Sequence, residues 1–363
     1  MLAPHTIRSA PKALLHDHLD GGLRPATIVD LAREHGYRAL PTYDAGELAT
    51  WFRRGADRKS LELYLETFVH TTGVMQHPSA IARVTAECVE DLAADGVVYA
   101  EIRYAPELST AGGLTPDEVV RANLEGLRIG MERADAAGHP IVAGAIVCGM
   151  RNGPHVMDAA RLAVRHRDVG VVGFDIAGPE AGFPPGDHAA AFELLRREGV
   201  RITIHAGESY GLPSIREALA ACGAERLGHA NHLVDDITTG PDGQPVLGRL
   251  ARYIRDRRIP LEVCPTSNVH TGFRSRFGDH PFDLLRRLGF LVTVNTDNRL
   301  MSGVSASSEA AGLVEHFGYG LDDLERLAVD AVEAGFAPLP VRRRVVDEVL
   351  RPGYARLREA AAA

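Results

Sequence analysis

Eight times along this chain a short apolar run gives way to a polar loop and then to an amphipathic helix. The runs fall at 13–15, 97–104, 141–148, 171–176, 201–205, 226–229, 260–264 and 290–295. Most are apolar almost throughout, as strands are when a parallel sheet buries both their faces. The segments between them carry helix signals. Pro25 opens a helix that Gly36 stops, and Thr-Pro-Asp-Glu at 115–118 supplies a cap, a first-turn proline and early acids. Eight strand–helix units predict a (β/α)8 barrel. A doubly wound open sheet is the runner-up, but no G-x-G-x-x-G follows an early strand.

Residues 41–95 break the rhythm. Segments 48–52, 60–75 and 78–95 read as helices with no strand between them. This is expected to be a helical insertion after strand one, lying over the barrel mouth; packing elsewhere on the surface is the alternative. Three helical segments near 305–317, 321–335 and 340–358 close the chain, and the alanine tail at 360–363 is expected to fray. A length of 363 residues allows two domains, yet barrels with insertions reach this size as one. Residues 1–363 are therefore read as a single domain.

Charge and cysteine usage exclude other classes. The net charge is -8 and no Lys/Arg-rich tract exists, so nucleic-acid binding is not expected. The four cysteines form no C-x-x-C, which argues against a disulfide framework or a thiolate zinc site and for a reducing compartment. The first residues hold no apolar signal core, and no run of about 18 apolar residues exists for a membrane span. A soluble cytoplasmic protein is expected. Oligomeric state is not legible in the sequence.

The strand ends carry the chemistry. Strand one offers His16 and His18, strand four Asp175 and Gly178, strand five His205 and Glu208, strand six His229, and strand eight Asp297 and Asn298. Alternation along an extended segment puts His16 and His18 on one side. In a barrel all these groups converge on the C-terminal mouth. Any one of the segments has an ordinary structural explanation; several ending alike do not. Three histidines and a carboxylate suit a zinc ion with room for a water, and hydroxide formed there is a nucleophile at neutral pH. Glu208 stands where it could protonate a substrate ring nitrogen. His229 could be a ligand, or a base that orients the hydroxide. The second role is preferred, because His16, His18, His205 and Asp297 already suffice.

The segments HDHLDGGLRP, HAGE at 205–208, LGH at 227–229, CPTSN at 264–268 and VTVNTDN at 292–298 occur in order over nearly the whole chain. Together they resemble the adenosine deaminase family of metal-dependent purine deaminases. The resemblance implies an amidohydrolase-type barrel, one Zn2+ per subunit and hydrolytic removal of a 6-amino group from a purine nucleoside. By it, His16, His18, His205 and Asp297 match the zinc ligands, with Asp297 also catalytic and His18 also bordering the substrate. Glu208 matches the residue that protonates purine N1, and His229 the one that orients the hydroxide. Asp20 matches a ribose contact and Gly178 a backbone contact to N3. The chemical sense is plain: protonating N1 breaks the ring's aromaticity at C6 and opens that carbon to attack.

Two positions depart from the family pattern. Many members carry Asp-Asp where this chain has Asp297-Asn298. The second residue would face N7, and an amide NH2 donates there without needing a proton. After His229 the familiar glycine is replaced by Ala230, a side chain that could reshape the pocket. Adenosine or 2'-deoxyadenosine is the expected substrate, with adenine or a modified adenine nucleoside, such as a futalosine-type or secondary-metabolite derivative, as the alternative. A two-metal hydrolase with a bridging lysine is disfavoured, since only Lys12 and Lys59 exist and neither stands at a strand end. A non-catalytic binding relative would have lost a ligand or the proton donor, and none is lost.

Overall fold

The computed structural model describes residues 2–362. Its framework is eight parallel strands: β1 (Lys12–His18), β2 (Val97–Tyr104), β3 (Val142–Met150), β4 (Val171–Ala177), β5 (Thr203–Ala206), β6 (Arg226–His229), β7 (Leu261–Val263) and β8 (Val292–Val294). β1 to β4 pair in chain order, and so do β5 to β8. Two seams join these halves. Phe174 bridges to Ile202 beside β5, and Asp17 bridges to Asp297 just beyond β8. At the second seam His18 N–H donates to the Asp297 carbonyl at 2.7 Å, and Asp297 N–H to the His16 carbonyl at 3.0 Å. Asn295 strengthens it: its side-chain oxygen accepts from the amides of Leu15 and His16 at 2.8 and 3.1 Å. The strands thus close into the expected (β/α)8 barrel.

The strands form because their residues are buried on both faces, which favours continuous apolar and β-branched side chains. The outer helices pack closely. Pro78–Ala94 lies on Pro116–Ala136 so tightly that a Cβ on Gly126 would come within 2.6 Å of the Ala82 carbonyl oxygen. Pro78–Ala94 is therefore a wall helix of the barrel, although the sequence groups it with the insertion. The expected helix at 60–75 is broken into Leu61–Leu65 and Phe68–Val74. Thr67 is the cause: its amide and its hydroxyl both donate to the Tyr64 carbonyl, at 3.2 and 2.7 Å, and so end the first piece.

One element was not foreseen. Pro245–Leu247 pairs antiparallel with Ile237–Thr239, and the helix that follows starts at Arg249. The Pro-Asp-Gly turn at 241–243 that makes this hairpin was in the sequence. The closing helix Arg351–Ala362 takes in the alanine tail except Ala363, which lies outside the described residues. Among the described residues, no helix is long and apolar enough to cross a membrane. All four cysteines are free and buried.

Candidate active site

The C-terminal strand ends bring His16, His18, His205 and Asp297 together, with one donor atom of each within 4.8 Å of the others. His18 Nε2 stands 3.2 Å from His205 Nε2. Asp297 Oδ1 is 3.4 Å from both His16 Nε2 and His18 Nε2. Donors around a tetrahedral zinc at ordinary bond lengths would be spaced by about 3.4 Å. His16 Nε2 is buried and has no hydrogen-bond partner, an atom that a cation would satisfy. The donor set therefore fits a metal ion. Burial holds His18 and His205 well toward the neutral form that coordinates.

Carboxylates stand behind the imidazoles. Glu262 Oε2 lies 3.0 Å from His16 Nδ1, and Asp175 Oδ2 lies 2.8 Å from His205 Nδ1. A carboxylate there fixes the ring so that Nε2 faces the centre. Arg103 joins the two carboxylates, at 2.7 Å from Glu262 and 2.6 Å from Asp175, and all three side chains are fully buried. Asp175 thus does not face the mouth as its strand-end position suggested. It points under the cluster because it lies on β4 at a register where its side chain turns into the barrel.

Above the cluster is a cavity of about 500 Å³, a volume suited to a small organic ligand. His18, His205, Glu208, His229 and Asp297 border it, as do Asp20, Gly178 and Asn298. Leu61, Tyr64, Leu65 and Phe68 of the 41–95 segment wall it. Tyr64 is anchored by a 3.0 Å hydrogen bond between its hydroxyl and Ser302. Every residue singled out in the sequence for substrate contact is on this wall. Ala230 is not: its left-handed backbone, φ 51°, carries the side chain into the core instead. His229 and Asp297 also have positive φ, 63° and 58°, so the site stores backbone strain at three non-glycine positions.

Two carboxyls in the cavity are pushed apart in acidity. Glu208 is raised well above the usual range by burial, then by the charges of Asp297 and Glu180. Burial acts on Asp297 too, but the hydrogen bond and charge of His16 outweigh it and hold this group well below the usual range. The surroundings favour the proton on Glu208 and the ionised form of Asp297. Asp20, also buried, is pushed up to about 7. Glu208 is held in place by a residue the sequence did not disclose. The Glu180 carboxylate accepts the amides of Gly207, Glu208, Ser209 and Tyr210, at 2.5, 3.0, 2.7 and 2.9 Å. Gly207 makes the turn at φ 75°, where a Cβ would stand 2.5 Å from Ile215 Cδ1.

A family model described as adenosine deaminase matches residues 11–352. The chain belongs to the adenosine deaminase family. It is a hydrolase of the deaminase type, acting on a carbon–nitrogen bond. An adenosine deaminase of Mycobacteroides abscessus is 59% identical over 350 residues, covering 96% of this chain and 97% of the relative. Adenosine deaminase 1 of Streptomyces coelicolor is 58% identical over 356 residues, covering 98% and 90%. Among solved structures, an amidohydrolase from Burkholderia ambifaria with bound Zn superposes with a TM-score of 0.81 at 24% identity, covering 100% of this chain and 96% of that one; this likeness speaks for the fold.

Glu262, Arg103 and Glu180, which hold the groups of this candidate site, were missed in the sequence. The first two had a signal: a charge inside an otherwise apolar strand, as in LEV and AEIRY, must find a partner or it would not be buried. Glu180 had none beyond its place after Gly178.

Proposed function

We propose that the protein is a zinc-dependent deaminase of adenosine and 2'-deoxyadenosine, releasing ammonia and the 6-oxo nucleoside. The observation that carries this reading is one cavity that gathers Glu208 and Asp297 beside three histidines, with burial pushing Glu208 well above the usual carboxyl range and His16 holding Asp297 well below it. A relative 59% identical that bears the name adenosine deaminase supports the choice of nucleoside. His16, His18, His205 and Asp297 would hold the zinc, which when bound supplies a water activated for attack at neutral pH. Glu208 gives its proton to purine N1, making C6 electrophilic. His229 orients the attacking water. The Gly178 backbone takes N3, the Asn298 amide donates to N7, and Asp20 holds the ribose. The wall formed by Leu61, Tyr64, Leu65 and Phe68 excludes bulk water from the reacting carbon. We read residues 1–363 as one domain in which 41–95 supplies that wall.

The test is ammonia release from adenosine, 2'-deoxyadenosine, adenine and AMP by the zinc-loaded protein. The two nucleosides should be deaminated at kcat/KM at least about tenfold above adenine and AMP. No ammonia from any of the four would sink the reading; a preference for adenine would overturn the ribose role of Asp20.

A further inference from the structure

The Nδ1 side of His229 faces a chain of three hydrogen bonds that begins at a backbone amide. The helix Phe282–Arg287 has an unpaired first-turn amide at Phe282, and this N–H donates to His280 Nδ1 at 3.1 Å. A backbone amide can only donate, so His280 Nδ1 carries no proton and Nε2 must carry it. Burial keeps this ring neutral, its pKa lowered to about 3. His280 Nε2–H then donates to Asn268 Oδ1 at 3.2 Å. The opposite orientation of the amide would require His280 to accept at both nitrogens, which a neutral imidazole cannot do. Asn268 Nδ2 is thereby turned to His229 Nδ1, and donates across 3.0 Å. His229 accepts at Nδ1, so its single proton sits on Nε2. That nitrogen faces the cavity, 3.7 Å from Glu208 Oε2. All three side chains of the relay are buried.

We propose that Asn268 and His280 are positioning residues that place the ring proton of His229 on Nε2, so that His229 works as a hydrogen-bond donor to the attacking water. Charge does not change; only the choice between two nitrogens is set. A ring fixed in this form cannot coordinate a metal through Nε2 and cannot accept the water's proton there. The sequence reading preferred a base that orients the hydroxide over a ligand; the relay keeps the orienting role and makes it one of donation. The inference rests on the deaminase reading for its kinetic consequence, but the tautomer itself does not.

Two measurements test it. Long-range 15N–1H spectra of histidine-labelled, zinc-loaded protein read the tautomer directly, with His229 assigned by the signal lost in His229→Gln. The expected pattern is a protonated Nε2 and a bare Nδ1; the reverse pattern overturns the proposal. Asn268→Leu and His280→Phe should each lower kcat about tenfold or more while KM for adenosine stays within about twofold. The double variant should be no slower than the worse single, because both act through one proton. Full activity in Asn268→Leu, or losses that multiply in the double variant, would equally overturn it. If the wild type releases no ammonia from adenosine, the deaminase reading fails while the spectra still decide the relay.

Discussion

At the residue scale the cavity holds neighbouring carboxyls at opposite acidities. Glu208 sits in a cavity with Asp297 and keeps its proton because burial and that nearby charge both oppose ionisation. Glu208→Gln keeps the size and a hydrogen-bond donor but loses an acid. Its kcat should fall by about 10²- to 10⁴-fold with KM little changed, read from steady-state rates. A second carboxyl, Glu309, is buried and is pushed up to about 7 by burial, a rise that nearby Thr266 opposes only in part. An acid whose folded pKa is raised is neutral in both states below pH 4.5, so it costs nothing there. As pH rises from 4.5 to about 7 the unfolded chain ionises and the folded chain does not, so stability falls across that window. Glu309→Gln should therefore raise stability by about 3 kcal/mol at pH 8 and leave it nearly unchanged at pH 4.5, measured by urea unfolding at both values.

At the scale of elements the loop after β5 shows how a strand end fixes one side chain in the cavity. Gly207 turns the chain and Glu180 gathers four successive amides, so Glu208 has one position. Glu180→Gln places an amide NH2 against donors. Unfolding free energy should drop by about 2–4 kcal/mol and kcat/KM by about tenfold or more, checked by urea titration alongside kinetics. This loop also marks where the sequence was readable. HAGE, LGH and TDN were legible because strand, turn and reactive side chain occupy consecutive residues, and β-branched runs announce the strand. Glu180 was not, because it reaches Gly207 from 27 positions away and nothing local records the pairing. The same is true of Glu262, whose partner His16 is 246 positions distant. The break at Thr67 escaped because a single side-chain hydrogen bond overrode an otherwise continuous helical pattern. The Asp175 placement failed for another reason: position at a strand end was read without asking to which side the pleat turns the residue.

For the whole molecule, the candidate metal cluster draws donors from β1, β5 and the segment after β8, so an ion there would tie distant parts of the barrel together. Removing it with a chelator should lower the thermal midpoint, and restoring zinc should recover it. At a thousandfold excess of ion over its dissociation constant the stabilisation is about 4 kcal/mol, readable by calorimetry with and without chelator. An unchanged midpoint would count against a structural coupling of the ion to the ring.

The seam between β1 and β8 sets a schedule. Asn295 clasps Leu15 from 280 positions away, and Asp297 both bridges to Asp17 and completes the donor cluster. A ribosome delivers the histidines of β1 long before Asp297. Joining residues so far apart in sequence carries a loop-closure cost and cannot precede the synthesis of Asn295 and Asp297. A chain cut short before residue 297 would thus carry three of the four donors and no closed mouth. A donor cluster built across the seam is therefore complete only once the segment after β8 has been made and docked.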